Sequence, residues 1–142
     1  IGILNLMRDL KELEIAFLYV THDLASARYV ADDILIMYAG QIVEQGPVDE
    51  VLGNPLHPYT RLLIASVPDG ERRLEPIEIR KGTAAAAVDP APGCRFVDRC
   101  PLAIGVCRHE TPELVEAEPG RIARCHVTAP RQREDLHAQP AA

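Results

Sequence analysis

The sequence feature that most restricts the possible folds is the continuous apolar run Ile15–Val20, "IAFLYV", which is followed at once by "THD". Runs of β-branched and aromatic residues of this length are typical of strands buried on both faces, as in a parallel sheet covered by helices. Apolar residues recur at helical spacing across positions 3–13, just before the run. A helix followed by a buried strand predicts an α/β fold.

The segments after this run alternate between helix and strand patterns. Asp23 is expected to cap a helix that begins at Leu24. Ile34–Tyr38 and Gln41–Gln45 are predicted to form a β-hairpin, because both are rich in strand-forming residues and are separated by a two-residue turn. The stretches "VDEVLGN" and "HPYTRLLIASVP" then predict two short helices.

Composition excludes several classes of function. Acidic residues outnumber basic ones by 21 to 15, so no nucleic-acid partner is expected, since such binding needs a clustered basic face. No apolar run approaches the roughly 20 residues that span a bilayer, and the N-terminus does not resemble a signal peptide. We therefore expect a reducing, cytosolic environment, in which cysteines bind metal or stay reduced.

The helical pattern at the N-terminus, without a preceding cap, indicates a piece of a longer polypeptide.

His22 is the candidate catalytic residue, because it stands just beyond the predicted strand and just before a helix. In open α/β sheets this edge is where ligands bind. A neutral imidazole there can donate to a phosphate oxygen or hold a water for attack on phosphorus. The alternative is that His22 only fills a turn next to the helix cap.

Four cysteines in the last third form the candidate metal site. Their spacing is C-x5-C-x6-C-x17-C, at Cys94, Cys100, Cys107 and Cys125. A zinc site usually contains a C-x2–4-C pair, which is absent, whereas a cubane iron–sulfur cluster with four cysteine ligands accepts wider spacing. The spacing therefore favours a [4Fe–4S] cluster over zinc, with reduced or disulfide-linked structural cysteines as the remaining alternative.

Basic and imidazole groups surround these cysteines in the sequence. Four arginines would offset the negative charge of four thiolates: Arg95, Arg99, Arg108 and Arg124. His109 and His126 adjoin two of the cysteines, and we expect them to be exposed neighbours in preference to ligands.

The run "YVTHDLASARYVADDILIMYAGQIVEQGPVDEVLGNPLHPYTRLLIASVP" resembles the end of the nucleotide-binding subunit of ABC transporters. "NPLHPYTRLLIASVP" and the cysteine segment further resemble the oligopeptide/dipeptide (and nickel) importer branch and its C-terminal extension. The fold class implied is the C-terminal portion of a P-loop NTPase-type domain with a loop-rich four-cysteine extension. Four parts are then expected: 1–68 from the nucleotide-binding domain, a linker at 69–92, the cysteine-rich extension at 93–128 and a disordered tail at 129–142.

The resemblance implies an ATPase that powers peptide uptake, with His22 as the switch histidine at the γ-phosphate of ATP. Its partners would be a second ATPase subunit (the same or different), membrane permease subunits and a peptide-binding receptor, at the cytoplasmic face of the membrane. Some members carry a [4Fe–4S] cluster on matching cysteines. The sequence departs from the family by having no G-x-x-x-x-G-K-[ST] loop, so ATP and Mg²⁺ are expected only with the full-length chain and this segment alone is expected to be inactive. The alternative is a metal-binding regulatory or subunit-interaction module without its own catalysis.

Overall fold

The computed structural model describes residues 2–67 and 92–128. The predicted tail at 129–142 lies outside them, as does the predicted linker at 69–92 apart from its last residue. The described helices are α1 (Gly2–Lys11), α2 (Leu24–Val30), α3 (Val48–Gly53) and α4 (Pro58–Ala65). The strands are β1 (Asp33–Tyr38), β2 (Gln41–Pro47), β3 (Val115–Glu118) and β4 (Arg121–Ala123). In this part of the chain, no helix has the length and apolar character that a membrane crossing requires.

The predicted hairpin is confirmed, since β1 and β2 pair in antiparallel fashion. Ala39 and Gly40 form its turn, and both have positive φ angles, of 46° and 78°. Positive φ at both central residues is the requirement of the type I′ turn, whose twist matches that of the flanking strands. The alternating burial of β1 then directs Ile34, Ile36 and Tyr38 into the core.

The sheet continues from the hairpin into the cysteine-containing part of the chain. Its strand order is β1-β2-β4-β3, and every pair is antiparallel. β4 pairs with β2 through Glu44 opposite Ala123 and Gln45 opposite Ile122. The predicted parts 1–68 and 93–128 therefore contribute strands to one sheet.

The main core is also common to both parts of the chain. Its buried members are Ala27, Ile34, Ile36, Tyr38, Val43, Val48, Val51, Leu52, Phe96 and Cys100. The helix α3 places Val48, Val51 and Leu52 in this core, while Asp49 and Glu50 occupy its first turn, where carboxylates favour the helix dipole. Core formation thus requires residues from both sides of the undescribed segment.

The predicted strand at Ile15–Val20 is not formed. These residues lie outside every helix and strand, and Leu18 and Val20 are 87% and 86% exposed. A strand buried on both faces needs neighbouring strands and covering helices. The only sheet among the described residues pairs β1 to β4 with one another, so it supplies this run with no partner.

The helix α1 lies beside α2 through polar contacts. Lys11 donates to the Val30 carbonyl at 3.1 Å and pairs with Asp32 at 2.6 Å, and the Tyr29 hydroxyl donates to Asn5 at 2.6 Å. The apolar side chains that predicted this helix are largely solvent-exposed, among them Ile3, Leu6 and Leu13.

Candidate functional site

The cysteine loop, which we define as residues 93–108, is closed by a contact between its two ends. The backbone N–H of Cys94 donates to the carbonyl of Cys107 at 2.8 Å. Gly93 makes this approach possible, because its φ is +104° and a Cβ there would lie 2.6 Å from the Cys107 carbonyl oxygen. Any residue other than glycine would push the two ends of the loop apart.

The structure brings all four predicted cysteines together as free thiols. Cys100, Cys107 and Cys125 are buried, and Cys94 is half-buried. Burial raises the pKa of the Cys100 thiol to about 11, and that of the Cys94 thiol also rises. Charge on Cys107 and Cys125 raises the pKa of Cys94 further, and charge on all three other cysteines raises that of Cys100 further. These sulfur atoms therefore lie within electrostatic range of one another.

Backbone amides point at two of these sulfur atoms. The N–H groups of Phe96 and Val97 hydrogen-bond to Cys94, and the N–H of Leu102 hydrogen-bonds to Cys100. Each bond favours the thiolate and lowers the pKa, although burial outweighs it. The loop therefore contains donors that would stabilise negative charge on sulfur once the protons are removed.

A metal site is nevertheless not formed by these side chains alone. Among residues 2–67 and 92–128, no group of three or more His, Cys, Asp or Glu side chains is arranged to hold a metal ion. The assignment of Cys94, Cys100, Cys107 and Cys125 as ligands therefore stays a prediction.

Three of the four arginines near the cysteines make contacts elsewhere in the fold. The Arg95 guanidinium donates to the Ala39 carbonyl, and Arg124 donates to the carbonyls of Ile42 and Pro112 at 2.9 and 3.0 Å. Arg108 forms an exposed ion pair with Asp98 at 3.3 Å. Arg95 therefore fastens the cysteine loop to the hairpin, and the compensation of thiolate charge by these arginines stays a prediction.

The two histidines beside the cysteines differ in environment. His109 is exposed, as expected. His126 is buried, which corrects the expectation of an exposed neighbour, and its Nε2 lies 2.9 Å from the Glu110 carbonyl.

Phe96 anchors the cysteine loop on the rest of the fold. Its ring is 2% exposed and lies in a pocket, here called the Phe96 pocket, formed by Tyr38, His57 and Tyr59. The ring centroids are 5.2 to 5.9 Å from that of Phe96, a separation at which tilted and edge-to-face aromatic pairs are favourable. Both tyrosines therefore pack against the Phe96 ring.

His57 has a structural role at the start of α4. Its Nδ1 accepts the backbone N–H of Tyr59 at 3.0 Å and so caps the helix. Burial lowers the pKa of His57 to about 4, so the imidazole is neutral at neutral pH. A neutral, accepting Nδ1 is the form that this cap needs.

A buried ion pair provides the second connection between the two parts of the chain. Glu44 on β2 is fully buried and accepts the N–H groups of Leu56 and His57, each at 2.8 Å. The Arg121 guanidinium from β4 donates to Glu44 at 3.0 Å and to the Asn54 carbonyl at 2.6 Å. Sequence reasoning assigned no function to Glu44; a charged residue in the middle of a predicted strand was the available signal.

His22 lies apart from the cysteine loop, at the start of α2, and is exposed. The neighbouring cap is formed as predicted: Asp23 accepts the N–H groups of Ala25 and Ser26 at 3.0 and 3.3 Å. Hydrogen bonding from Ser26, and then from Ala25, lowers the pKa of Asp23. His22 thus precedes a fixed helix start with its side chain open to solvent.

Known proteins match this chain closely. The family described as "Oligopeptide/dipeptide transporter, C-terminal region" matches residues 43–107, from β2 to the third cysteine. The probable peptide ABC transporter ATP-binding protein y4tS of Sinorhizobium fredii is 45% identical over 145 residues, covering 99% of this chain and 40% of the relative. The chain is similar to the C-terminal part of peptide ABC transporter ATP-binding proteins.

Two further members of this family show the same relation. The di/tripeptide transport ATP-binding protein DppF of Pseudomonas aeruginosa is 41% identical over 126 residues, covering 87% of this chain and 39% of the relative. The oligopeptide transport ATP-binding protein AppF of Bacillus subtilis is 37% identical over 130 residues, covering 88% and 39%. The chain thus spans about 40% of the length of the curated relatives it matches.

Proposed function

We propose that this chain is part of the ATP-hydrolysing subunit of an ABC importer for oligopeptides or dipeptides. The observation that carries the proposal is the match of residues 43–107 to the C-terminal region of that transporter family, together with relatives named for peptide transport. ATP and Mg²⁺ act in the full-length protein only. This chain has no G-x-x-x-x-G-K-[ST] loop, so nothing in its sequence cradles the phosphates and it is inactive by itself.

His22 is proposed to contact the γ-phosphate and to orient the attacking water. Its support is chemical: an exposed imidazole precedes a helix whose first turn is fixed by the Asp23 cap. A group that positions water and donates to a developing charge needs such a fixed base and an open side chain.

The working assembly is proposed to contain a second ATPase subunit, membrane permease subunits and a peptide-binding receptor. The support is the relatives' names, which give a peptide ABC transporter ATP-binding protein and an oligopeptide transport ATP-binding protein. We place the protein peripherally at the cytoplasmic face of the membrane.

The test uses the full-length subunit with its partners. His22→Ala is expected to lower ATP turnover roughly a hundredfold or more, while nucleotide binding is retained. His109→Ala, which removes an exposed histidine from the cysteine loop region, is the matched control and should leave turnover unchanged. Equal turnover in the His22 variant and the wild type would refute the role of His22.

The finer proposal for the cysteines is a [4Fe–4S] cluster held by Cys94, Cys100, Cys107 and Cys125. Its support is an all-thiol donor set, the electrostatic proximity of the sulfur atoms and the amide N–H groups that face two of them. Such a cluster spreads its ligands over a larger volume than a single ion and would supply a redox-active or structural centre.

Anaerobic purification followed by iron, sulfide and zinc analysis tests this proposal. Iron and sulfide in equal amounts are expected, and Cys107→Ser should remove them while His109→Ala should not. Because Cys100 must lose a proton that it holds with a pKa of about 11, cluster loading releases protons and improves as pH rises. A folded protein that contains neither iron nor zinc would refute ligation by these thiols.

The second candidate function is a regulatory or subunit-interaction module. One observation favours it: the cysteine loop is tied to α4 through the Phe96 pocket, and β4 is tied to the start of α4 through Glu44. Phe96→Leu in the full-length assembly separates the alternatives. Loss of assembly with normal ATP turnover would favour an interaction module, whereas loss of both would not.

A further inference from the structure

Two of the four cysteines occupy positions that suit a covalent bond between them. The Cys94 N–H and the Cys107 carbonyl are 2.8 Å apart. With standard bond lengths on either side of this single hydrogen bond, the two Cα atoms are at most about 6.7 Å apart. Disulfides form across Cα separations of about 4.4–6.8 Å. The backbone pairing therefore holds Cys94 and Cys107 within disulfide range.

The packing around Gly93 fixes this separation. A Cβ at Gly93 would lie 2.6 Å from the Cys107 carbonyl oxygen and 2.7 Å from the Arg108 carbonyl carbon. The residue next to Cys94 is thus in direct contact with the backbone of Cys107. The backbones of the two cysteines are thus held together by the chain path itself.

Access to the two sulfur atoms is unequal in a way that suits stepwise oxidation. Cys94 is half-buried, whereas Cys107 is buried, as are Cys100 and Cys125. Cys100 also belongs to the main hydrophobic core. A dissolved oxidant therefore reaches Cys94 first. Cys107 is the cysteine whose backbone carbonyl accepts the hydrogen bond from the Cys94 N–H.

We propose that Cys94 and Cys107 form a reversible intramolecular disulfide by exchange with a small-molecule disulfide such as oxidised glutathione. The Cys94 thiolate attacks one glutathione sulfur, which forms a mixed disulfide and releases one glutathione thiolate. The Cys107 thiolate then attacks the Cys94 sulfur and releases the second. Two electrons pass from the cysteines to glutathione, and the two cysteine protons end on the released thiols.

This bond has a direct consequence for the four-thiol site. It consumes two of the four sulfur donors, so the disulfide and four-thiolate ligation exclude each other. The inference does not rest on the proposed ATPase role or on the iron–sulfur proposal, because it concerns the metal-free thiols of this chain.

The test uses the 142-residue chain after anaerobic treatment with a chelator. Oxidised glutathione is added, excess reagent is removed, and free thiols are counted after denaturation. The expected result is a fall from four thiols to two, reversed by dithiothreitol. Trypsin cuts after Arg95, Arg99 and Arg108, so Cys100 and Cys107 share one peptide and fragment ions between them identify the bonded residue.

Matched variants decide the assignment. Cys107→Ser should abolish the intramolecular bond, and Cys100→Ser should leave it intact, with circular dichroism confirming that both variants are folded. Cys107→Ala serves as a second variant if serine disturbs folding. A Cys100–Cys125 bond in place of the proposed one, a persistent glutathione adduct on Cys94, or four unreacted thiols would each overturn the proposal.

Discussion

Replacing Glu44 with glutamine is expected to cost about 3–5 kcal/mol of unfolding free energy, the usual cost of removing one member of a buried ion pair. One carboxylate oxygen accepts from Leu56 and Arg121, at 2.8 and 3.0 Å, and the other accepts from His57 at 2.8 Å. Glutamine keeps the shape but supplies only one acceptor oxygen. Its NH₂ group would face a backbone N–H, which leaves a buried donor unpaired at about 1–3 kcal/mol. The lost charge beside the buried Arg121 accounts for the rest.

Glu118 offers a matched control on the same guanidinium. It pairs with Arg121 at 2.7 Å, yet its side chain is 44% exposed, so Glu118→Gln should cost at most about 1 kcal/mol. Urea unfolding of the 142-residue chain, followed by far-ultraviolet circular dichroism, measures both. The midpoint should fall by about 2 M or more for Glu44→Gln and by well under 1 M for Glu118→Gln. Equal shifts in the two variants would refute the reasoning, because burial would then not set the cost.

Three further predictions concern the cysteine loop and its pocket. Phe96→Ala should lower stability by about 3–5 kcal/mol in urea unfolding, because a fully buried ring is lost; a change below about 1 kcal/mol would contradict its role as anchor. Since the pKa of His57 falls from 6.5 to about 4 on folding, stability should decrease by about 3 kcal/mol as pH falls from 6.5 to 4. His57→Asn keeps a capping side chain and should remove most of that dependence. Gly93→Ala should expose the loop thiols to a thiol reagent much faster than Gly105→Ala, where no atom lies within 4 Å of the added Cβ.

Local sequence signals predicted the local structure well. The two-residue turn at Ala39-Gly40 predicted the hairpin, and Asp23 predicted the start of α2. These features depend on contacts between residues close in sequence, such as the Asp23 carboxylate and the two N–H groups of the next turn.

Long-range features were not predictable in the same way. Ile15–Val20 consists of residues that favour strands, but a strand forms only beside neighbouring strands, and the described sheet supplies none for this run. The pairing of Glu44 with Arg121 joins residues 77 positions apart, and no spacing rule connects them. Phe96 likewise packs against Tyr38, His57 and Tyr59, which are all distant from it in the sequence.

The pairing of β2 with β4 has a consequence for the order of events during synthesis. Glu44 leaves the ribosome 77 residues before Arg121, a delay of roughly 4–15 s at about 5–20 residues per second. During that interval the hairpin and α3 can form from local contacts, but the Glu44 carboxylate has no guanidinium beside it. The nascent chain therefore carries an unpaired Glu44 carboxylate until β4 emerges. A ribosome that stalls before residue 121 would leave β2 without its partner strand and Glu44 without its guanidinium.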